Sequence, residues 1–79
     1  MNECKVRLST DGTKRCFLNG KLHREDGPAI TDSTGEEWYL NGELHREDGP
    51  AIVYNNGNKL WFLNGVRYTE EEFLTIINK

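Results

Sequence analysis

Long apolar runs are missing from this chain of 79 residues. No stretch approaches the roughly 18 apolar residues that a membrane-crossing helix needs, so no span is expected. No hydrophobic segment follows Met1-Asn2-Glu3-Cys4-Lys5, so no secretory signal is expected and a cytoplasmic location is the reading. Basic runs are missing too. The net charge is −3, which argues against direct nucleic-acid binding, because such binders need a cationic face to displace counterions. Cysteine is scarce. Cys4 and Cys16 are too few for a disulfide scaffold, and the expectation is two reduced thiols in a cytosol-like compartment. There is no Cys-x-x-Cys and no local histidine pair, so no metal site is expected. No Ser or Cys stands at a recognisable spacing from a base, and no Gly-rich phosphate loop occurs. The chain therefore reads as a non-enzyme without a cofactor.

What is present is repetition. Leu22–Ile30 and Leu44–Ile52 are both LHREDGPAI. Phe17-Leu18-Asn19-Gly20 returns as Tyr39-Leu40-Asn41-Gly42 and as Phe62-Leu63-Asn64-Gly65. A period in the low twenties marks a stacked array inside one domain. The units run approximately over 5–27, 28–49 and 50–68, followed by a helix over 69–78.

Each unit reads as a β-hairpin. Ile52-Val53-Tyr54 and Leu60-Trp61-Phe62-Leu63 flank Asn55-Asn56-Gly57, and Asn-Gly tolerates positive φ. The fold class is mainly β: an antiparallel meander of stacked hairpins with about six main strands and a short C-terminal helix as a cap. Alternation puts Cys16, Trp38 and Trp61 on one face with Leu18, Leu40 and Leu63. Phe17, Tyr39 and Phe62 take the other. In the tail, Thr69-Glu70-Glu71-Glu72 spells a capping box, and Phe73, Ile76 and Ile77 form one apolar stripe.

The repeated phrase has two readings. As a fold instruction, Asp26-Gly27-Pro28 and Asp48-Gly49-Pro50 are turn chemistry, with glycine freeing φ and proline starting the next strand. His-Arg-Glu-Asp then forms a hydrogen-bonded corner between hairpins. As chemistry, His23, Arg24, His45 and Arg46 recur at one period. Such a ladder could hold a phosphate or carboxylate through forked guanidinium bonds, as in a nucleotide-sequestering protein. The first reading is favoured, because no catalytic constellation accompanies the phrase.

The unit from Tyr39 to Ile52, with Trp61-Phe62-Leu63-Asn64-Gly65 after a turn, resembles the variant MORN-type repeats (WYxNGxxHRxDGPA). The resemblance covers roughly residues 5–68. It implies hairpins stacked in one extended sheet and used for protein contacts and oligomerisation. Arrays of this kind look typical of large viruses, phages and bacteria. By analogy, the resemblance implies a small phage or viral accessory protein that inhibits a host factor. Lipid binding is claimed for the broader class, whereas the acidic balance here points away from anionic membranes. The expected protein-binding residues are Trp38, Tyr39, Trp61 and Phe62, since aromatic anchors commonly dominate such surfaces. A homodimer is expected from the small core and uncovered aromatics.

Overall fold

The computed structural model describes residues 4–78. Three hairpins follow one another, as the repeat requires. The first joins β1 (Lys5–Leu8) to β2 (Lys14–Leu18), after which β3 (Lys21–Leu22) folds back on β2. The second joins β4 (Ile30–Asp32) to β5 (Gly35–Glu37). A small ribbon of β6 (Tyr39–Leu40) and β7 (Glu43–Leu44) follows. The third joins β8 (Ile52–Tyr54) to β9 (Lys59–Leu63), and β10 (Val66–Tyr68) leads to α1 (Glu70–Ile77). The main sheet is antiparallel, in the order β1-β2-β4-β5-β8-β9-β10, with β3 attached to β2. The six hairpin strands match the sequence expectation, and four further short strands add to them. The chain from Glu37 to Leu40 is not one continuous strand: β5 ends at Glu37 and β6 begins at Tyr39, with Trp38 between them donating its N–H to Ala51 O of the next unit at 2.7 Å.

Each hairpin tip is built by one short polar side chain. Asp11 Oδ1 accepts from Thr13 N–H, Asp32 Oδ1 from Thr34 N–H and Asn56 Oδ1 from Asn58 N–H, at 3.0, 2.8 and 2.9 Å. Such Asx turns satisfy backbone donors that a tight reversal leaves open. The Asn-Gly pairs make the second set of turns. Asn19, Asn41 and Asn64 have φ of 53°, 52° and 52°, each followed by a glycine at positive φ. Two successive left-handed residues give the turn whose twist suits a two-residue hairpin.

The sheet is thin, with extents of 38 × 32 × 17 Å. Its core is correspondingly small: Cys16, Ala29, Ala51, Ile52, Leu63 and Phe73 are buried, together with Thr13 and His23. Ala29 and Ala51 are the small residues that let one unit approach the next, because each carbonyl receives an N–H from the preceding unit. Gly35 allows a similar approach. A Cβ there would lie 2.9 Å from Tyr54 Cα, and its φ of +151° is one that L side chains rarely adopt.

Two expectations are corrected. Cys4 and Cys16 are not free thiols; they form a disulfide that ties the start of β1 to β2. Val6 faces Cys16 in the register, so Cys4 lies diagonally across the same face, within bridging reach. Such bonds persist chiefly in oxidising compartments. The apolar stripe of the helix is also only partly used. Phe73 is 2 % exposed, but Ile76 and Ile77 are 41 % and 36 % exposed. The sheet end is narrow, and α1 meets it mainly through β9 and β10, so one large side chain fills the contact. The capping box itself is formed: Thr69 accepts from Glu72 N–H, and Glu72 accepts from Thr69 N–H.

Candidate functional site

Both copies of the phrase lie at the junctions between units, and they make the same bonds. His23 Nδ1 accepts the backbone N–H of Asn41 at 2.9 Å, and His45 Nδ1 accepts that of Asn64 at 2.9 Å. Leu22 O and Leu44 O accept from Gly42 N–H and Gly65 N–H, both at 2.8 Å. Arg24 N–H donates to Tyr39 O at 3.0 Å, and Arg46 N–H to Phe62 O at 3.2 Å. Three consecutive residues of one unit thus grip the aromatic-Leu-Asn-Gly segment of the next. The left-handed Asn-Gly turn presents two adjacent N–H groups, and the Leu-His pair supplies two matching acceptors.

The histidine tautomer follows from this geometry. An Nδ1 that accepts a hydrogen bond carries no proton, so the ring N–H is at Nε2. From there it reaches Glu25 Oε2 at 3.3 Å in the first copy and Glu47 Oε2 at 2.9 Å in the second. His23 is buried, at 4 % exposure. Burial of a neutral, doubly bonded imidazole carries a small penalty compared with burial of a charge.

The arginines close the corner. Arg24 Nε donates to Asp26 Oδ1 at 3.0 Å, and Arg46 Nε donates to Asp48 Oδ1 at 2.7 Å. Their Nη1 groups reach Pro28 O and Pro50 O, at 3.4 and 3.2 Å. The adjacent guanidinium holds each aspartate below the ordinary carboxylate value of 3.8, first through the hydrogen bond. The glycine between them plays a different part from the one the sequence suggested. Gly27 and Gly49 are not in the positive-φ region. They are glycine because the arginine lies across them: an added Cβ would meet Arg24 Cζ at 2.8 Å or Arg46 Cζ at 3.1 Å.

The two junctions differ in what lies beneath the guanidinium. Arg46 stacks on Trp38, 3.8 Å from the ring centroid, a cation–π contact. The position equivalent to Trp38 in the first unit is Cys16, which pairs with Cys4 instead. Trp38 Nε1 is buried without a hydrogen-bond partner.

The four aromatics expected to face a protein partner are all half-buried. Trp38 lies under Arg46. Tyr39 donates its hydroxyl to Glu37 at 2.9 Å, and desolvation, aided by that carboxylate, pushes its pKa to about 12. Trp61 and Phe62 lie opposite Tyr68 and Arg67 in the last ribbon. The most exposed apolar side chains are elsewhere: Val6 and Leu8 on β1, Val66 on β10, and Leu74, Ile76 and Ile77 on α1. Sequence reasoning did not select them, because alternation identifies faces and cannot say which end of a sheet stays uncovered.

The four residues of the anion reading are brought into the same region. Arg24, His45 and Arg46 line an open depression of about 280 Å³ with Trp38 and Leu40, whereas His23 is enclosed at its junction. Glu25, Glu47 and Asp48 line that depression as well, so its carboxylates offset the guanidinium charges. Among the described residues, no three His, Cys, Asp or Glu side chains are grouped to hold a metal ion. No described helix is long and apolar enough to cross a membrane. Compared with known proteins, the chain matches no family model, no curated protein and no solved structure.

Proposed function

We propose that the chain is a non-enzymatic protein-interaction module of the MORN-like repeat type. One observation carries this reading: the polar groups of the repeated phrase are spent on joining units, while the two ends of the thin sheet leave apolar side chains open. His23, His45, Arg24 and Arg46 each hold partners within the fold. Val6 and Leu8 at one end, and Leu74 and Ile76 at the other, are 41–68 % exposed. Apolar side chains grouped on an exposed surface mark sites of interaction. The repeat resemblance supports a phage or viral accessory protein acting on a host factor, and self-association into a homodimer.

The test is affinity capture on the immobilised chain, followed by reconstitution with the purified captured protein. A saturable complex of fixed stoichiometry is expected. Light scattering over micromolar concentrations reads the dimer. Failure to reconstitute any captured protein would contradict the reading.

The anion-binding reading has one observation in its favour, the shared position of Arg24 and Arg46 on a single depression. A nucleotide that raises Tm in the parent chain, and not in Arg46→Ala, would establish it by mass action.

A further inference from the structure

The first strand is a free sheet edge. β1 pairs with β2 on one side, and no other described strand pairs with it. The register shows which groups are left open. Ser9 N–H bonds to Thr13 O, and antiparallel pairs alternate between bonded and non-bonded. Lys5 and Arg7 therefore direct their amides at β2, while Val6 and Leu8 direct theirs outward. These two residues also carry side chains that are 63 % and 68 % exposed. Along this edge Lys5 and Arg7 alternate with Val6 and Leu8, so an added strand would meet charge on one face and apolar side chains on the other.

The fold itself shows what such an edge accepts. β1 is the first strand of its hairpin, as β4 and β8 are of theirs. The outer edge of β4 is filled by β2, and that of β8 by β5, in antiparallel pairing. At the far end of the array, α1 packs on β9 and β10 through Phe73. Only the β1 end keeps the repeat's own strand-addition position open among the described residues.

Charge selects the occupant. The first hairpin, residues 4–18, carries Lys5, Arg7, Lys14 and Arg15 against the single acid Asp11. From residue 19 to 78 the balance reverses, with eleven acidic and five basic side chains. The edge is thus a cationic end on an acidic protein. Lys5 and Arg7 share one face of β1 with Phe17, whose ring lies 5.3 Å from the Arg7 guanidinium. They line an open depression of about 400 Å³ with Phe17, Leu18, Asn19 and Gly20. A second copy of β1 is a poor match, since two-fold pairing would set Lys5 and Arg7 against each other.

We propose that the outer edge of β1 takes an extended acidic segment of a partner protein as an added strand, with acidic side chains alternating on the Lys5/Arg7 face and apolar ones beside Val6 and Leu8. This deepens the interaction-module reading and rests on it. Backbone bonds along the edge supply affinity, and the alternating side chains supply selectivity.

The probe is a short N-acetylated, C-amidated peptide of alternating glutamate and valine, with alternating lysine and valine as control, titrated against the isotope-labelled oxidised chain. The glutamate peptide is expected to shift the amides of Lys5–Leu8 and slow hydrogen exchange at Val6 and Leu8. Asn41 and Asn64 should stay unmoved. Lys5→Glu with Arg7→Glu should weaken binding about tenfold or more, and added salt should weaken it in the parent. Val6→Pro removes an outward donor and spares the bonds to β2, so it should abolish binding while the remaining spectrum persists.

Equal binding of the lysine peptide would overturn the proposal, as would no binding of either. So would a single-stranded oligonucleotide that moves the same amides where the glutamate peptide does not. Concentration-dependent shifts of the same amides without peptide would assign the edge to a second copy and overturn it too. If a captured protein binds the parent and the Lys5→Glu/Arg7→Glu chain equally, the module reading stands and the edge proposal falls.

Discussion

His45 Nδ1 accepts the backbone N–H of Asn64, 19 residues downstream, and His23 makes the same bond to Asn41. The histidines of the repeated phrase are therefore acceptors for the left-handed turn of the following unit. This explains why His precedes Arg in both copies, and why Asn-Gly follows each aromatic-Leu pair.

Replacing either histidine by alanine should destabilise the fold. Each change leaves an Asn N–H without its acceptor, a loss of about 1–3 kcal/mol at the part-buried His23 bond and about 1 kcal/mol or less at the exposed His45 bond. His23→Ala should cost more, because His23 is the more buried of the two. Urea denaturation of both variants checks the order. A neutral His23→Ala would contradict the role assigned to the ring.

Glycine substitutions separate two causes that look alike in the sequence. Gly35→Ala should cost more than about 3 kcal/mol, since the backbone of the neighbouring strand cannot withdraw from the added Cβ. Gly49→Ala should cost only about 1 kcal/mol, because Arg46 is a flexible end that can move aside. Its signature is optical: displacement of Arg46 from Trp38 changes tryptophan emission. Unchanged emission in Gly49→Ala would contradict the packing of arginine across glycine.

Acid should weaken the fold through four aspartates. Asp11 and Asp32 are lowered by hydrogen bonds to Thr13 and Thr34, and Asp26 and Asp48 by bonds to Arg24 and Arg46. A folded-state value below the unfolded 3.8 gives stability that is fully present above that value. It is lost as pH falls through the depressed folded values. The contribution of these four groups to Tm should therefore be complete above about pH 4 and decline below it. A flat Tm from there to strongly acidic pH would contradict these shifts.

Reduction of Cys4–Cys16 should lower stability by about 2–3 kcal/mol, the scale for a short closed loop. It should leave the Asn64 junction intact, since that joins the second and third units, and should disturb the Asn41 junction more, because His23 N–H donates to Cys16 O at 3.0 Å. Denaturation with and without reductant, followed by the resonances of Asn41 and Asn64, measures both effects. Equal stability in the two states would contradict a structural role for the bond.

Much of this architecture was legible in the sequence for local reasons. The Asn-Gly turns, the Thr69–Glu72 capping box and the hairpins each depend on a few neighbouring residues, and each is present. The phrase was readable as a corner because Asp-Gly-Pro has turn chemistry. Its partners were not readable, because Asn41 and Asn64 enter from the next unit. The disulfide was missed for a similar reason: Cys4 and Cys16 meet only once β1 and β2 are in register. Half-burial of Trp38 and Tyr39 depends on Arg46 and Glu37, and strand alternation alone cannot show such cover.

The most direct test of the junction is nuclear magnetic resonance of the labelled chain, read for scalar coupling across N–H···N hydrogen bonds. The account predicts coupling between the Asn41 amide nitrogen and His23 Nδ1, and between the Asn64 amide nitrogen and His45 Nδ1, with both rings protonated at Nε2. Rings protonated at Nδ1, with neither coupling present, would contradict it.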